Sequence, residues 1–226
     1  MEGMPKFEDK KIQIETSEHY RNFIPKDFSD DPIRYFEEKG IQIKEGYVKI
    51  DEAGRIKEDP TAVVDFPIWE NSDGEKMQVV AKIVNTKKSQ ISKTNNPFHE
   101  YRVMQIVRHL NLPSPEPIAK VESGDGYLLI MEKINGLRLV GSDLDYLRQR
   151  LSVEEVCGLQ QEAESKMEEL RTEFLRCGIE RKFKLSDMIF DIDFDNPDGP
   201  KITKVTPVDW ERTKIDEKKL GEFIED

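Results

Sequence analysis

"HEYRVMQIVRHLNLPSPEPIAKVESGDGYLLIMEKINGLRL", His99 to Leu139, decides the fold of this chain. Val103, Ile106, Val107 and Leu110 recur at helical spacing, so residues 97–110 read as a helix with one apolar stripe. Leu112-Pro113-Ser114-Pro115 stops it, because proline lacks an amide hydrogen and drives the residue before it toward extended backbone. "PIAKVE", "SGDG" and "YLLIMEKI" then read as strand, turn and strand. The second strand closes on Met131-Glu132-Lys133-Ile134-Asn135-Gly136.

Upstream, "IQIKEGYVKI" (41–50) alternates as a strand does, and "AVVDFPIW" (62–69) and "MQVVAKIV" (77–84) are rich in β-formers. "ENSDGEK" joins the last two through Asp73-Gly74, a hairpin signal. Residues 41–84 are therefore expected to form three antiparallel strands, and the hairpin after the helix makes five. Residues 1–40 read as an N-terminal extension with a short helix in "DDPIRYFEEKG", capped by Asp31, with Pro32 in its first turn and Gly40 at its end. Downstream, residues 143–178 read as helical. Ser152 and Glu155 form a capping box and Gly178 a stop. "DMIFDIDF", "NPDG" and "ITKVTPVDW" give a last hairpin, and "DEKKLGEF" one short helix.

The chain has 226 residues, enough for one domain or two lobes. Charged residues equal hydrophobic ones at 36% each, so a core is affordable beneath a highly charged surface. A net charge of -11 opposes a nucleic-acid partner. No apolar run approaches the roughly 20 residues of a membrane span, so no membrane partner is expected. The N-terminus does not read as a signal peptide. Cys157 and Cys177, with no second pair, fit a reduced, cytoplasmic setting and two ordinary buried thiols. His19, His99 and His109 lack metal-ligand spacing.

Lys82 is flanked by apolar residues on a strand, so it points to one face of a sheet. By itself an edge lysine in water is the plainer reading. Were that face buried, the ammonium would need a partner, since an unpaired buried charge is very costly. Glu100, eighteen residues on, offers one from the next helix.

The ordered set from Lys82 through Glu100 and Leu-Pro-x-Pro to "LLIMEKINGLRL" resembles the N-lobe of the protein-kinase-like superfamily, nearest its aminoglycoside phosphotransferase-like and RIO-like branches. The resemblance implies an α+β, bilobal kinase-like fold. It has a five-stranded antiparallel N-lobe sheet (41–139 with the hinge) and a reduced, mostly helical C-lobe (140–226). It implies that Lys82 and Glu100 position the α- and β-phosphates of ATP. It places Met131 at the gatekeeper position and the backbone of Glu132 and Ile134 against the adenine edge. "VDWER" resembles the metal-binding aspartate motif of the phosphotransferase branch, with Asp209 a ligand for Mg²⁺, a hard cation that takes oxygen donors.

The catalytic loop departs from the family form, G-I-x-H-x-D with an Asn five residues later. Aligned on Gly178-Ile179 and Met188-Ile189-Phe190, the chain has Glu180 for the His, Lys182 for the catalytic Asp and Asp187 for the metal-binding Asn. Asp187 can still take Mg²⁺. Lys182 cannot accept a hydroxyl proton while it is an ammonium, its form at neutral pH, although its charge can contact the γ-phosphate. Gly54 is the one glycine of "DEAGRIKEDP", where the family uses several to cover the phosphates. Asp191, Asp193, Asp195 and Asp198 resemble a calcium loop superficially, but Asn196 stands at the required glycine and Ile202 at the twelfth position. They read as solvated. Glu180 and Glu211 are conceivable bases that spacing does not single out.

Three functions remain open on the sequence. One is a degenerate, kinase-like ATP-binding protein with a regulatory role and a protein partner. The second is an active phosphotransferase acting on a protein or small molecule. The third is an interaction module without nucleotide, its site filled by side chains such as Trp69 or Met131.

Overall fold

The computed structural model describes residues 13–16, 18–31, 34, 35, 38, 48–50, 56–58, 61–85, 97–123, 126–210 and 213–224. The chain divides into two compact units, Met1–Tyr101 with Glu116–Lys133, and Arg102–Pro115 with Ile134–Asp226. In order, the elements are β1 (Gln13–Thr16), α1 (Lys26–Asp30), β2 (Val48–Ile50), β3 (Ile56–Glu58), β4 (Thr61–Glu70), β5 (Lys76–Asn85), α2 (Pro97–His109), β6 (Pro117–Ser123) and β7 (Gly126–Glu132). They continue with α3 (Gly141–Arg150), α4 (Val153–Arg176), β8 (Ile179–Glu180), β9 (Met188–Asp193), β10 (Lys201–Pro207), β11 (Lys214–Ile215) and α5 (Glu217–Ile224). The fold is α+β, as expected, with a five-stranded antiparallel sheet.

The sheet of the first unit has the order β1-β6-β7-β5-β4. Register divides its side chains between two faces, because directly paired residues point the same way. Val79 and Ala81 of β5, Leu128 and Ile130 of β7, and Ala119 and Val121 of β6 lie in one fully buried cluster with Phe28, Tyr35 and Trp69. Phe28 stands 5.2 Å from Trp69 and 5.6 Å from Tyr35, so N-terminal aromatics close this face. Trp69 is set by a bulge. The β4–β5 register slips between Asp65 and Ile68, around Pro67, which has no amide hydrogen to give the ladder.

The count of five strands holds, but one strand differs from expectation. Within 41–50, only Val48–Ile50 is described, and it pairs with Ile56–Glu58 as a separate ribbon. Residues 41–47 and the loop holding Gly54 lie outside the described residues. The fifth strand is β1, from the segment expected to be an extension, antiparallel to β6 with Glu15 opposite Lys120. Four residues are too few to show alternation; β1 is a strand because the edge of β6 supplies its hydrogen bonds. Of the helix expected near residue 34, Arg34, Tyr35 and Glu38 are helical, and Asp31 accepts from the Arg34 amide at 3.1 Å. The rest of that helix lies outside the described residues.

Helix ends follow local chemistry. α2 finishes in a Schellman motif, with Leu112 N–H on the Val107 carbonyl, Asn111 N–H on the Arg108 carbonyl, and Asn111 at φ 56°. The turn thus begins at Asn111, just before Leu-Pro-Ser-Pro. Ser152 and Glu155 form the expected capping box of α4. The helical run 143–178 is two helices, parted at Leu151-Ser152, where that capping box begins. Gly178, at φ 79°, ends the second, and its carbonyl accepts from Asp216 at 2.7 Å. A Cβ there would lie 2.9 Å from the Asp216 carbonyl oxygen. Gly136, at φ 140°, lets Leu137 exchange two backbone hydrogen bonds with Phe190 of β9, where a Cβ would lie 2.6 Å from the Phe190 oxygen. The last hairpin turns at Asn196–Gly199 as expected.

Cys177 is buried but Cys157 is exposed on α4, so only one of the two thiols is buried. No helix among the described residues is long and apolar enough to cross a membrane. Trp69→Ala is expected to lower stability by about 3–5 kcal/mol, the usual loss for truncating a buried large aromatic. Urea unfolding measures it, and a loss under about 1 kcal/mol would mean that the aromatic cluster does not close this face.

Candidate functional site

The opposite face of the sheet holds the charged candidates. Lys82 pairs in register with Leu129, Leu129 with Lys120, and Lys120 with Glu15, while Val80 pairs with Met131. Lys82, Lys120 and Met131 therefore share one face, the two lysines about 10 Å apart by strand spacing. Trp69 is in the cluster on the other face, so it does not fill the Lys82 side.

Lys82 Nζ lies 3.2 and 3.0 Å from the two Glu100 carboxylate oxygens. The side chains are 8% and 1% exposed. Burying both charges costs several kcal/mol per ion, which only close geometry offsets. The strand sets the direction of the lysine and the first turn of α2 sets the glutamate, at an end where the helix dipole favours an anion.

Beside this pair lies a second one that the sequence did not suggest. Lys120 is buried, its Nζ 2.7 Å from Glu15 Oε2 and 5.6 Å from the centroid of the Tyr101 ring. Glu15 and Lys120 are far apart in sequence, so spacing carries no signal of the pair. The Tyr101 hydroxyl is buried and finds no hydrogen-bond partner among the described residues. Burial, then the charges of Glu15 and Glu116, push the hydroxyl up to about 12.

Met131 is buried near the end of β7. The Glu132 amide donates to the Glu116 carbonyl at 2.9 Å and the Lys133 amide to the Gln78 carbonyl at 2.9 Å. These bonds hold the strand end to which the kinase-like resemblance assigns the adenine contacts. Ile134, half-buried, opens the longer segment of the second unit.

In the second unit, Asp187 closes a single 3₁₀ turn, Leu185–Asp187, and its carbonyl accepts from the Val208 amide at 2.9 Å. That bond brings the backbone carrying Asp209 beside the backbone carrying Asp187. Lys182 and Glu180 are exposed, and Glu180 lies 4.0 Å from the Lys214 ammonium. Asp191, Asp193, Asp195 and Asp198 are exposed, as a solvated hairpin requires. The residue between Glu180 and Lys182 is the one that sequence reasoning missed. Arg181 is buried, with its guanidinium 4.7 Å from the Trp210 ring centroid, 5.6 Å from that of Phe183, and 3.8 Å from Asp187 Oδ2. A lone arginine in "IERKFK" carries no periodic signal of burial.

The Asp187 donors do not fit Mg²⁺ well. One carboxylate oxygen accepts from the Ser186 hydroxyl at 2.8 Å, and the other faces Arg181. At an effective dielectric near 20, a divalent ion about 6 Å from that guanidinium meets roughly 5 kcal/mol of repulsion.

Glu100→Gln keeps the shape of the pair but removes its anion, and is expected to cost about 3–5 kcal/mol. The double change Lys82→Met with Glu100→Leu is expected to cost far less, or to stabilise, because no charge stays buried. Equal losses for the two proteins in urea unfolding would contradict a buried pair. The tyrosine gives a pH test. An unfolded tyrosine ionises near 10 and Tyr101 about 12, so its contribution is complete below about pH 10 and is lost as pH rises toward 12. Tyr101→Phe is expected to be near neutral at pH 7 and to flatten the alkaline fall in stability; an unchanged alkaline limb would refute the assignment.

No family model matches the sequence, and no curated protein matches it. Among solved structures, the chain is similar to the BubR1 kinase domain, at 12% identity over 88% of this chain and 62% of that chain, with a TM-score of 0.47. It is also similar to Rad53 1-466 in complex with AMP-PNP, at 16% identity over 83% of this chain and 45% of that chain, with a TM-score of 0.44. The chain spans less than two thirds of either neighbour.

Proposed function

We propose that this chain is a cytoplasmic, kinase-like protein that binds ATP, transfers phosphate weakly or not at all, and acts as a regulator or scaffold for a protein partner. The observation that carries the reading is the buried bidentate pair of Lys82 and Glu100. Apolar residues of similar volume usually serve stability as well as or better than a buried ion pair. The pair earns its place if the oriented ammonium meets a ligand, and the phosphates of a nucleotide are the ligand that the kinase-like resemblance assigns to it. Met131 shares the Lys82 face, which suits a gatekeeper beside the adenine. Asp-Trp-Glu at 209–211 favours the phosphotransferase-like branch.

Weak transfer follows from the second unit. The position aligned with the catalytic base holds Lys182, an exposed cation. Phosphoryl transfer relies on positioning and electrostatics more than on covalent chemistry, so nucleotide binding survives the loss of a base better than turnover does.

Thermal unfolding with and without millimolar ATP tests the reading. At a hundredfold excess over Kd, ATP is expected to add about 2.7 kcal/mol, roughly 5–10 °C in Tm for a chain of this size. Lys82→Met is expected to abolish the shift. No shift for the unaltered protein at millimolar ATP would overturn the proposal.

A further inference from the structure

Arg181 is an arginine held as a core residue. Its side chain is 4% exposed and stacks over Trp210, itself fully buried. Trp210 lies 5.6 Å from Phe174, and Phe174 lies 5.5 Å from Phe183, so aromatic rings back the guanidinium. A guanidinium suits such a place because it is planar, stacks well and is more weakly hydrated than an ammonium. Backbone pairing fixes both ends of its contact with Asp187. Ile179 and Glu180, just before it, pair with Ile215 and Lys214. Asp187 is tied through its carbonyl to Val208. The charge of Arg181 is permanent at any accessible pH.

We infer that Arg181 is the resident counter-cation of Asp187, standing in for a divalent ion there, so that the chain takes nucleotide without a metal at this carboxylate. The inference rests on the reading that the chain binds ATP, and it reverses the sequence expectation that Asp187 holds Mg²⁺. Two features carry it. Both carboxylate oxygens are engaged, one by the Ser186 hydroxyl and one by the guanidinium. The cation is also built into the aromatic core and so cannot swing away to admit another. Mg²⁺ sheds water reluctantly and needs near-octahedral oxygen donors, which a carboxylate already facing a fixed cation supplies poorly.

Calorimetric titration of the full chain with ATP, in excess Mg²⁺ and again in EDTA, tests the inference. The two Kd values are expected to agree within about threefold, and a loss of about tenfold or more in EDTA would overturn it. Mn²⁺ binding, followed by electron paramagnetic resonance without nucleotide, is the independent readout. The unaltered chain is expected to bind no Mn²⁺ below millimolar concentration. Arg181→Met is expected to gain a site that Arg181→Met with Asp187→Asn lacks. Submillimolar Mn²⁺ binding by the unaltered chain that Asp187→Asn removes would overturn the inference. Should the unaltered chain bind no ATP in either condition, the proposed function falls, while the Mn²⁺ measurement still decides the role of Arg181. Should Arg181→Met fail to fold, the two measurements on the unaltered chain decide it alone.

Discussion

A lysine ammonium clamped by both oxygens of a buried glutamate is the constraint around which the first unit is built. Lys82 sits on β5, bonded to β4 on one side and β7 on the other, so its Cα cannot shift without breaking two ladders. Glu100 arrives from the first turn of α2. Strand and helix must meet at one register for the carboxylate to reach the ammonium, and a one-residue slip of β5 would send Lys82 to the opposite face. That face is dry and filled by aromatic and aliphatic side chains. The pair therefore specifies register as well as neutralising charge.

The two faces of this sheet do different work. The far face is closed by Phe28, Tyr35 and Trp69, which pack there against buried aliphatic side chains of β5, β6 and β7. The near face carries two lysines about 10 Å apart by strand spacing, one answered by Glu100 and the other by Glu15. Strand β1 serves both faces. Its Ile14 packs against the aromatic cluster, and its Glu15 reaches Lys120. A short segment far from Lys120 in sequence thus helps keep the near face neutral and ordered.

The second unit repeats the theme with arginine. Its cation is enclosed by Trp210 and Phe183 and directed at Asp187, while Lys182 next to it points into solvent. Adjacent positively charged residues thus take opposite roles, one structural and buried, one exposed. The difference follows the alternation of an extended chain, with Ile179 and Arg181 buried and Glu180 and Lys182 exposed.

Much of this was legible in the residues themselves. Runs of β-formers and the turns between them located β4 to β7, apolar spacing located α2, and the Ser152–Glu155 box and Gly178 marked the ends of α4, because each is a short-range effect carried by neighbours in sequence. The residues alone left Lys82 as an edge lysine in water, and only the kinase-like resemblance pointed to its pair with Glu100, which lies 3.0–3.2 Å away. What residues 13–16 do was not legible, since a four-residue strand acquires its hydrogen bonds only from the edge it meets. Nor was the burial of Arg181, which depends on Trp210 and Phe174 arriving from elsewhere in the chain. The sequence by itself determined most of the elements, because backbone propensity and capping are local. Only the tertiary structure decided which strand completes the sheet and which cation faces Asp187, because desolvation and charge pairing depend on distances through space.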